Sequence, residues 1–188
     1  MTALADLWLP ILLSAVFVFV VSSILHMVLP IHRKDYDKLP HEDAICEALR
    51  SANVPPGQYM FPGADSMKEA MSPEMQKKFA RGPVGILMMR GSGMPNMGKA
   101  LLQWFAFSLL IGLISGYVAA ATLPPGTAYL SVFRITGAVA FAGYALWSVN
   151  DTIWKGIPWA VTLRFAFDGT LYALVTAGAF AWLWPAAI

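Results

Sequence analysis

The stretch HMVLPIHRKDYDKLP, residues 26–40, marks an abrupt change of medium along the chain. Before it lies an almost uncharged apolar run, residues 7–29. Within it His32, Arg33, Lys34, Asp35, Asp37 and Lys38 follow in quick succession. A bilayer core of about 30 Å takes about 20 helical residues to cross, and the run is long enough. A secretory signal would carry a basic N-terminal region and a small-residue cleavage site. Here the N-terminus offers only Asp6 and its own amine, and no A-x-A pattern follows, so the run reads as an uncleaved anchor.

Composition agrees. The chain is 57% hydrophobic and 13% charged, against roughly 25% charged for an ordinary soluble domain. A net charge of +2 is too small to suggest a nucleic-acid partner. A single cysteine, Cys46, excludes an internal disulfide framework and a multi-cysteine zinc site.

Three more apolar runs follow. Residues 100–123 end at the breaker Pro124-Pro125-Gly126, residues 129–149 begin just after it, and residues 165–183 follow Ile157-Pro158-Trp159. Lengths and breakers predict a membrane all-α fold of four transmembrane helices, with a small α+β cytoplasmic module inserted between helices 1 and 2. The divisions are 1–30 for the first helix, 31–98 for the module and 99–188 for helices two to four. A three-span alternative would lay residues 151–167 along the surface.

Orientation follows from the cations. Ten lysines and arginines fall between the first two runs, from Arg33 to Lys99, and Lys155 lies between the last two. Basic residues near span ends stay cytoplasmic. Both basic connections lie on one side of a four-span chain, so both termini are expected to face outward. Trp104, Trp147, Trp154 and Trp159 then fall near the inner interface, and Trp8, Tyr129, Trp182 and Trp184 near the outer one.

In the module, residues 40–52 open with acidic residues and read as a helix. PPGQYMFPG reads as turn, strand and turn. SPEMQKKFARGP reads as a helix capped by Ser72 and stopped by Gly82, and PVGILMM as a strand. The segments LPHEDAICEALR, PPGQYMFPG, SPEMQKKFARGPVG, PNMGK and DTIWKGIPW resemble, in this order, a family of small bacterial inner-membrane proteins with no assigned function. The likeness covers most of the chain. It implies a bacterial inner-membrane location and supplies no catalytic or binding residue.

Small residues recur every fourth position: Ser108, Gly112, Gly116 and Ala120 in the second run, and Gly169, Ala173, Ala177 and Ala181 in the fourth. Such stripes let helix backbones approach in lipid, either within one protomer or between copies. Ionisable groups at membrane depth form the candidate polar site: Arg134, Tyr144, Asp151, Arg164 and Asp168. Arg164 and Asp168, at i,i+4, are expected to pair on one helical face. The sharper alternative places Arg134 and Asp168 in a pocket with Tyr144, Thr136 and Thr170.

His26, the one histidine in a span, reads as an interfacial residue, since a haem held between two helices usually needs two axial ligands. His41-Glu42 begins like H-E-x-x-H, but Ile45 stands where the second histidine belongs. His32, His41 and Cys46 lack metal-ligand spacing, and the ten methionines show no regular repeat, so neither a metal nor another cofactor is expected. RGSGMPNMGK lacks the phosphate-loop order. No nucleophile–base set is recognisable, so the catalytic set is empty. The expected function is a non-enzymatic accessory or scaffold subunit in the lipid bilayer, whose module docks a protein partner or a second copy. The alternatives are an oligomeric small-solute or ion transporter or channel using Arg134 and Asp168, and an enzyme or cofactor carrier.

Overall fold

The computed structural model describes residues 2–187. Among them, three helices are long and apolar enough to cross a membrane, Leu4–Val28, Met97–Thr122 and Tyr129–Lys155, which marks the chain as a membrane protein. The chain divides into two compact units. One holds the residues up to Asp35 and from Asn96 onward, and the other is Tyr36–Pro95. The boundary falls at Asp35 rather than at residue 30, because the turn after the first helix folds back onto the helical unit.

In that unit, α1 (Trp8–Ser23) follows a single 3-10 turn and runs into a π-helical turn, Ile24–Val28. Its hydroxyls would be costly in lipid without partners, so they bond back to the helix. Ser14 donates to Ile11 O at 2.9 Å, Ser22 to Phe19 O at 2.9 Å and Ser23 to Phe19 O at 2.8 Å. The helix α5 (Met97–Thr122) starts at Asn96, whose side chain accepts from Lys99 N at 2.9 Å. Its 26 residues extend about 39 Å at 1.5 Å per residue, more than a hydrocarbon core needs. The third run does not form one unbroken helix. It gives α6 (Tyr129–Tyr144) and α7 (Trp147–Lys155), separated by a turn. The fourth run starts earlier than the apolar pattern indicates: α8 (Trp159–Trp182) begins directly after Pro158.

Among these helices, α8 packs against α6 and α1, and α5 packs against α1 and α6. Small residues set the spacing. A Cβ on Gly112 would lie 3.0 Å from Ser14 Oγ of α1, and one on Gly116 would lie 3.1 Å from the Phe180 ring of α8. The closest approach to a neighbouring backbone is at Gly169, where an added Cβ would lie 2.6 Å from backbone atoms of Tyr144 and Ala145, just where α6 ends. Ser108, Ala120, Ala173, Ala177 and Ala181 are all buried. One apolar cluster gathers Val18, Leu25, Ile111, Ala140, Tyr144 and Tyr172. A second gathers Leu7, Ala120, Val132, Phe180 and Ala181.

The unit Tyr36–Pro95 is α+β in content. Its helices are α2 (Glu42–Ser51), α3 (Met67–Ala70) and α4 (Pro73–Arg81). Ser72 opens α4 by accepting from Met75 N at 3.2 Å, proline occupies its first position, and Gly82 at φ +61° ends it. Strands β1 (Gly57–Phe61) and β2 (Gly85–Met89) pair antiparallel, with Gly57 opposite Met89 and Phe61 opposite Gly85. The Phe61 ring covers Gly85, so a Cβ there would meet it at 2.9 Å.

Replacing Gly169 by leucine forces a side chain into backbone that cannot yield locally. Overpacking costs about 1–3 kcal/mol, so Gly169→Leu lowers the melting temperature of the detergent-solubilised protein by several degrees. Gly91→Ala, whose added methyl meets nothing within 4 Å, leaves it unchanged. Thermal unfolding followed by tryptophan fluorescence checks both.

Candidate functional site

The first feature to explain is the bend that follows α1. The π turn holds His26 and is closed by Leu29 N donating to Ile24 O at 3.0 Å. Leu29 is extended, and Pro30 then starts a 3-10 turn, Pro30–His32. Proline suits that first position because its φ is already set and the missing N–H would have had no partner. The reversal lays the His32 ring on the His26 ring, with centroids 4.1 Å apart and planes 19° apart.

Both rings meet α8. Asp168 Oδ2 lies 2.8 Å from His32 Nε2 and 3.3 Å from His26 Nε2. The Asp168 side chain is only 2% exposed. On the far side of His32, Nδ1 lies 2.6 Å from Asp35 Oδ2. Arg164 Nε, one turn before Asp168 on α8, donates to Asp35 Oδ1 at 2.6 Å.

This order has an electrostatic consequence. A carboxylate at Asp35 holds a proton on His32 Nδ1, which leaves the Nε2 of a neutral imidazole with a lone pair. That lone pair faces another carboxylate at contact distance. His32 Nε2 and both Asp168 oxygens are buried without a hydrogen bond of acceptable angle. Two carboxylates set against one guanidinium also leave a net negative charge in an apolar setting. Burying such a charge unpaired is costly. The cluster therefore calls for a cation, either a proton or a metal ion.

The metal case can be judged by size. One ligand atom each from His26, His32 and Asp168 lies within 4.8 Å of the other two. Metal–N and metal–O bonds of about 2.0–2.2 Å put neighbouring ligand atoms about 3 Å apart in tetrahedral or octahedral sites. The observed 2.8 and 3.3 Å match that spacing. Asp35 stands behind His32 as an orienting carboxylate, an arrangement common behind metal-bound histidines. The stacked rings must splay for their lone pairs to converge on one ion.

A cavity of about 530 Å³ adjoins the cluster, and His26 and Asp168 form part of its wall. The rest is mainly aromatic, including Trp104, Phe107, Tyr144, Phe165 and Tyr172. Trp104 Nε1 donates to Ser22 Oγ at 2.9 Å, fixing α5 to α1. Tyr144 donates to Ser108 O at 3.4 Å, whereas the buried Tyr172 hydroxyl has no partner.

The five polar positions singled out in the sequence do not share one site. Asp168 belongs to the cluster and Tyr144 to the cavity wall. Arg164 bonds Asp35 rather than Asp168, because the chain reversal brings Asp35 to the guanidinium while the histidines occupy Asp168. Asp151 pairs with Lys155 at 2.7 Å within α7. Arg134 and Thr170 line a separate shallow hollow beside Phe133 and Phe141, and Thr136 bonds back to Val132 O at 2.8 Å. His26, His32 and Asp35 are the members that linear spacing does not pick out. Their one sequence signal is Pro30, which reverses the chain between the two histidines. His41 is the residue preceding α2, at φ +53°, and Cys46 is half-buried. No family model, curated protein or solved structure matches the chain.

Removing the guanidinium leaves Asp35 Oδ1 without its charged donor, with His32 the remaining partner on Oδ2. Hydrogen bonds to charged groups contribute about 1.5–3 kcal/mol, so Arg164→Met destabilises the protein by an amount in that range. Asp35→Asn combined with Arg164→Met restores part of the loss. A double-mutant cycle on thermal unfolding reads the coupling.

Proposed function

We propose that this chain is a four-span protein of the bacterial inner membrane that binds a divalent transition-metal ion, zinc or ferrous iron by its ligand chemistry, through His26, His32 and Asp168. The observation that carries this reading is the buried, unbonded facing of His32 Nε2 and the Asp168 carboxylate, backed by Asp35 and Arg164. Two imidazoles and one carboxylate suit such ions. Three protein ligands also leave a position for water or an exogenous oxygen, as in catalytic rather than structural sites.

The fourth span is α8. Its 24 residues extend about 36 Å, and its charges are answered within the protein, Arg164 by Asp35 and Asp168 by the histidines. That lowers the insertion penalty of intramembrane charge. Arg33 and Lys34, just after the turn that follows α1, favour a cytoplasmic side for the metal site and for the unit Tyr36–Pro95. That unit exposes Met60, Met67, Met71, Met88 and Met94, side chains suited to an adaptable interface, and docks a protein partner or a second copy.

A second reading is favoured by the near-parallel histidine stack: a shared proton bridges His32 and Asp168, and the chain from Arg164 through Asp35 serves as a proton relay.

Purified, chelator-treated protein given Zn²⁺ and desalted retains one equivalent by elemental mass spectrometry. His32→Ala and Asp168→Asn lose it while eluting as the parent does. Asp35→Asn weakens affinity about 10–100-fold. Zinc-free parent protein, or variants that bind as well as the parent, supports the proton reading instead. For topology, a membrane-impermeant maleimide labels Cys46 only after the inner membrane is permeabilised. Labelling in intact spheroplasts reverses the orientation.

A further inference from the structure

Arg134 lies inside a span, and the protein gives it no counter-ion. It stands five residues beyond Tyr129, the first residue of α6, or about 7–8 Å along the axis. It is exposed, and among the described residues it forms no ion pair. The neighbouring helices hold no carboxylate in reserve. The helix α5 carries no aspartate or glutamate, the single acidic residue of α8 is Asp168, already faced by the histidines, and Asp151 of α7 pairs with Lys155. A guanidinium left unpaired in hydrocarbon is costly. Long side chains on a helix lean toward its N-terminus, which for α6 is the Tyr129 end. Arg134 therefore snorkels toward the headgroup zone at that end, where the exposed Tyr129 supplies an interfacial phenol.

A shallow hollow of about 270 Å³ adjoins Arg134 between α6 and α8. On α6 it extends from Arg134 to Phe141, about 10 Å further from the Tyr129 end. Gly137, Ala138 and Ala173 are too small to fill it, and Phe133, Phe141 and Leu174 complete an apolar lining. The Thr170 hydroxyl is already spent on Ala166 O at 2.7 Å. Phe141 and Leu174 are exposed, so the hollow opens toward lipid. A cation thus stands at headgroup depth, with an apolar trough leading from it toward the middle of the bilayer. That order matches an amphiphile with an anionic head and an alkyl chain. A free anion would leave the trough empty, and an uncharged lipid would leave the guanidinium unanswered. A zwitterionic headgroup already carries its own ammonium beside the phosphate.

We infer that α6 and α8 bind one anionic phospholipid of the bilayer, its phosphate accepting from the Arg134 guanidinium and one acyl chain lying in the hollow as far as Phe141. Guanidinium and phosphate make charge-assisted, often two-pronged hydrogen bonds, which fixes the headgroup as well as attracting it. No residue lining this hollow belongs to the His26–His32–Asp168 cluster, so the lipid site stands whether or not a metal binds there.

The test is native mass spectrometry of the full chain, delipidated in mild detergent and titrated with phosphatidylglycerol or with phosphatidylcholine of the same acyl chains. The parent binds one phosphatidylglycerol about five-fold more tightly than phosphatidylcholine, the factor for one basic residue at an anionic surface. Arg134→Met abolishes that preference, and Arg134→Lys keeps part of it. Ala138→Phe fills the hollow and weakens phosphatidylglycerol binding several-fold with the guanidinium intact. Thermal unfolding without added lipid stays as in the parent for Arg134→Lys and Ala138→Phe. Inorganic phosphate at the concentration of the lipid displaces none of it. Equal affinity of the parent for the two lipids, an undiminished preference in Arg134→Met, unchanged binding in Ala138→Phe, or displacement by inorganic phosphate would each overturn the inference.

Discussion

A carboxylate buried within α8 has to be answered by the protein, and the disposition of the residues around Asp168 follows from that requirement. Its side chain is almost sealed from solvent, and neither lipid nor a neighbouring helix backbone can stabilise its charge. The answer comes from the segment after α1, through His26 in the π turn and His32 after the reversal. His32 is then oriented by Asp35, and Asp35 by Arg164. The chain of contacts starts on α8, passes through the turn after α1 and returns to α8 one turn earlier. A segment that would otherwise belong to the connecting loop is thereby tied to the helical unit.

The same corner depends on close packing. Gly169 follows Asp168 directly and lets α8 approach the backbone at Tyr144 and Ala145. That contact positions the carboxylate next to the aromatic cavity, and it coincides with the break between α6 and α7. Lipid gives little drive for helix association, so small residues at crossing points supply much of the attraction. Here they also determine where a charged residue and a set of aromatic rings meet.

Much of the secondary structure was legible in the sequence because local rules govern it. The apolar runs of α1 and α5, the Ser72 cap, the Pro73 start and the Gly82 stop all leave local signals. The start of α8 was less legible, because Arg164 in its second turn interrupts the apolar run, although Pro158 marks its start. The candidate cluster was legible only at Asp168. Its histidines are six positions apart in sequence, one in a helix and one beyond it, and no ligand-spacing rule covers a pair brought together by a proline turn. The i,i+4 relation of Arg164 and Asp168 is real on the helix surface, yet each finds a nearer partner across space. Helical periodicity cannot report such partners.

The π turn at Ile24–Val28 constrains how this protein can vary in length. An α-helix rotates about 100° per residue, and a π turn accommodates one more residue in nearly the same rise. A single lost position there can be absorbed by a return to regular winding, whereas a second loss would swing the imidazole about 100° away from α8. Insertions at the outer end of α1 would alter only how far the helix projects. The two ends of one hydrophobic segment thus tolerate change very unequally, although composition alone would rate them alike.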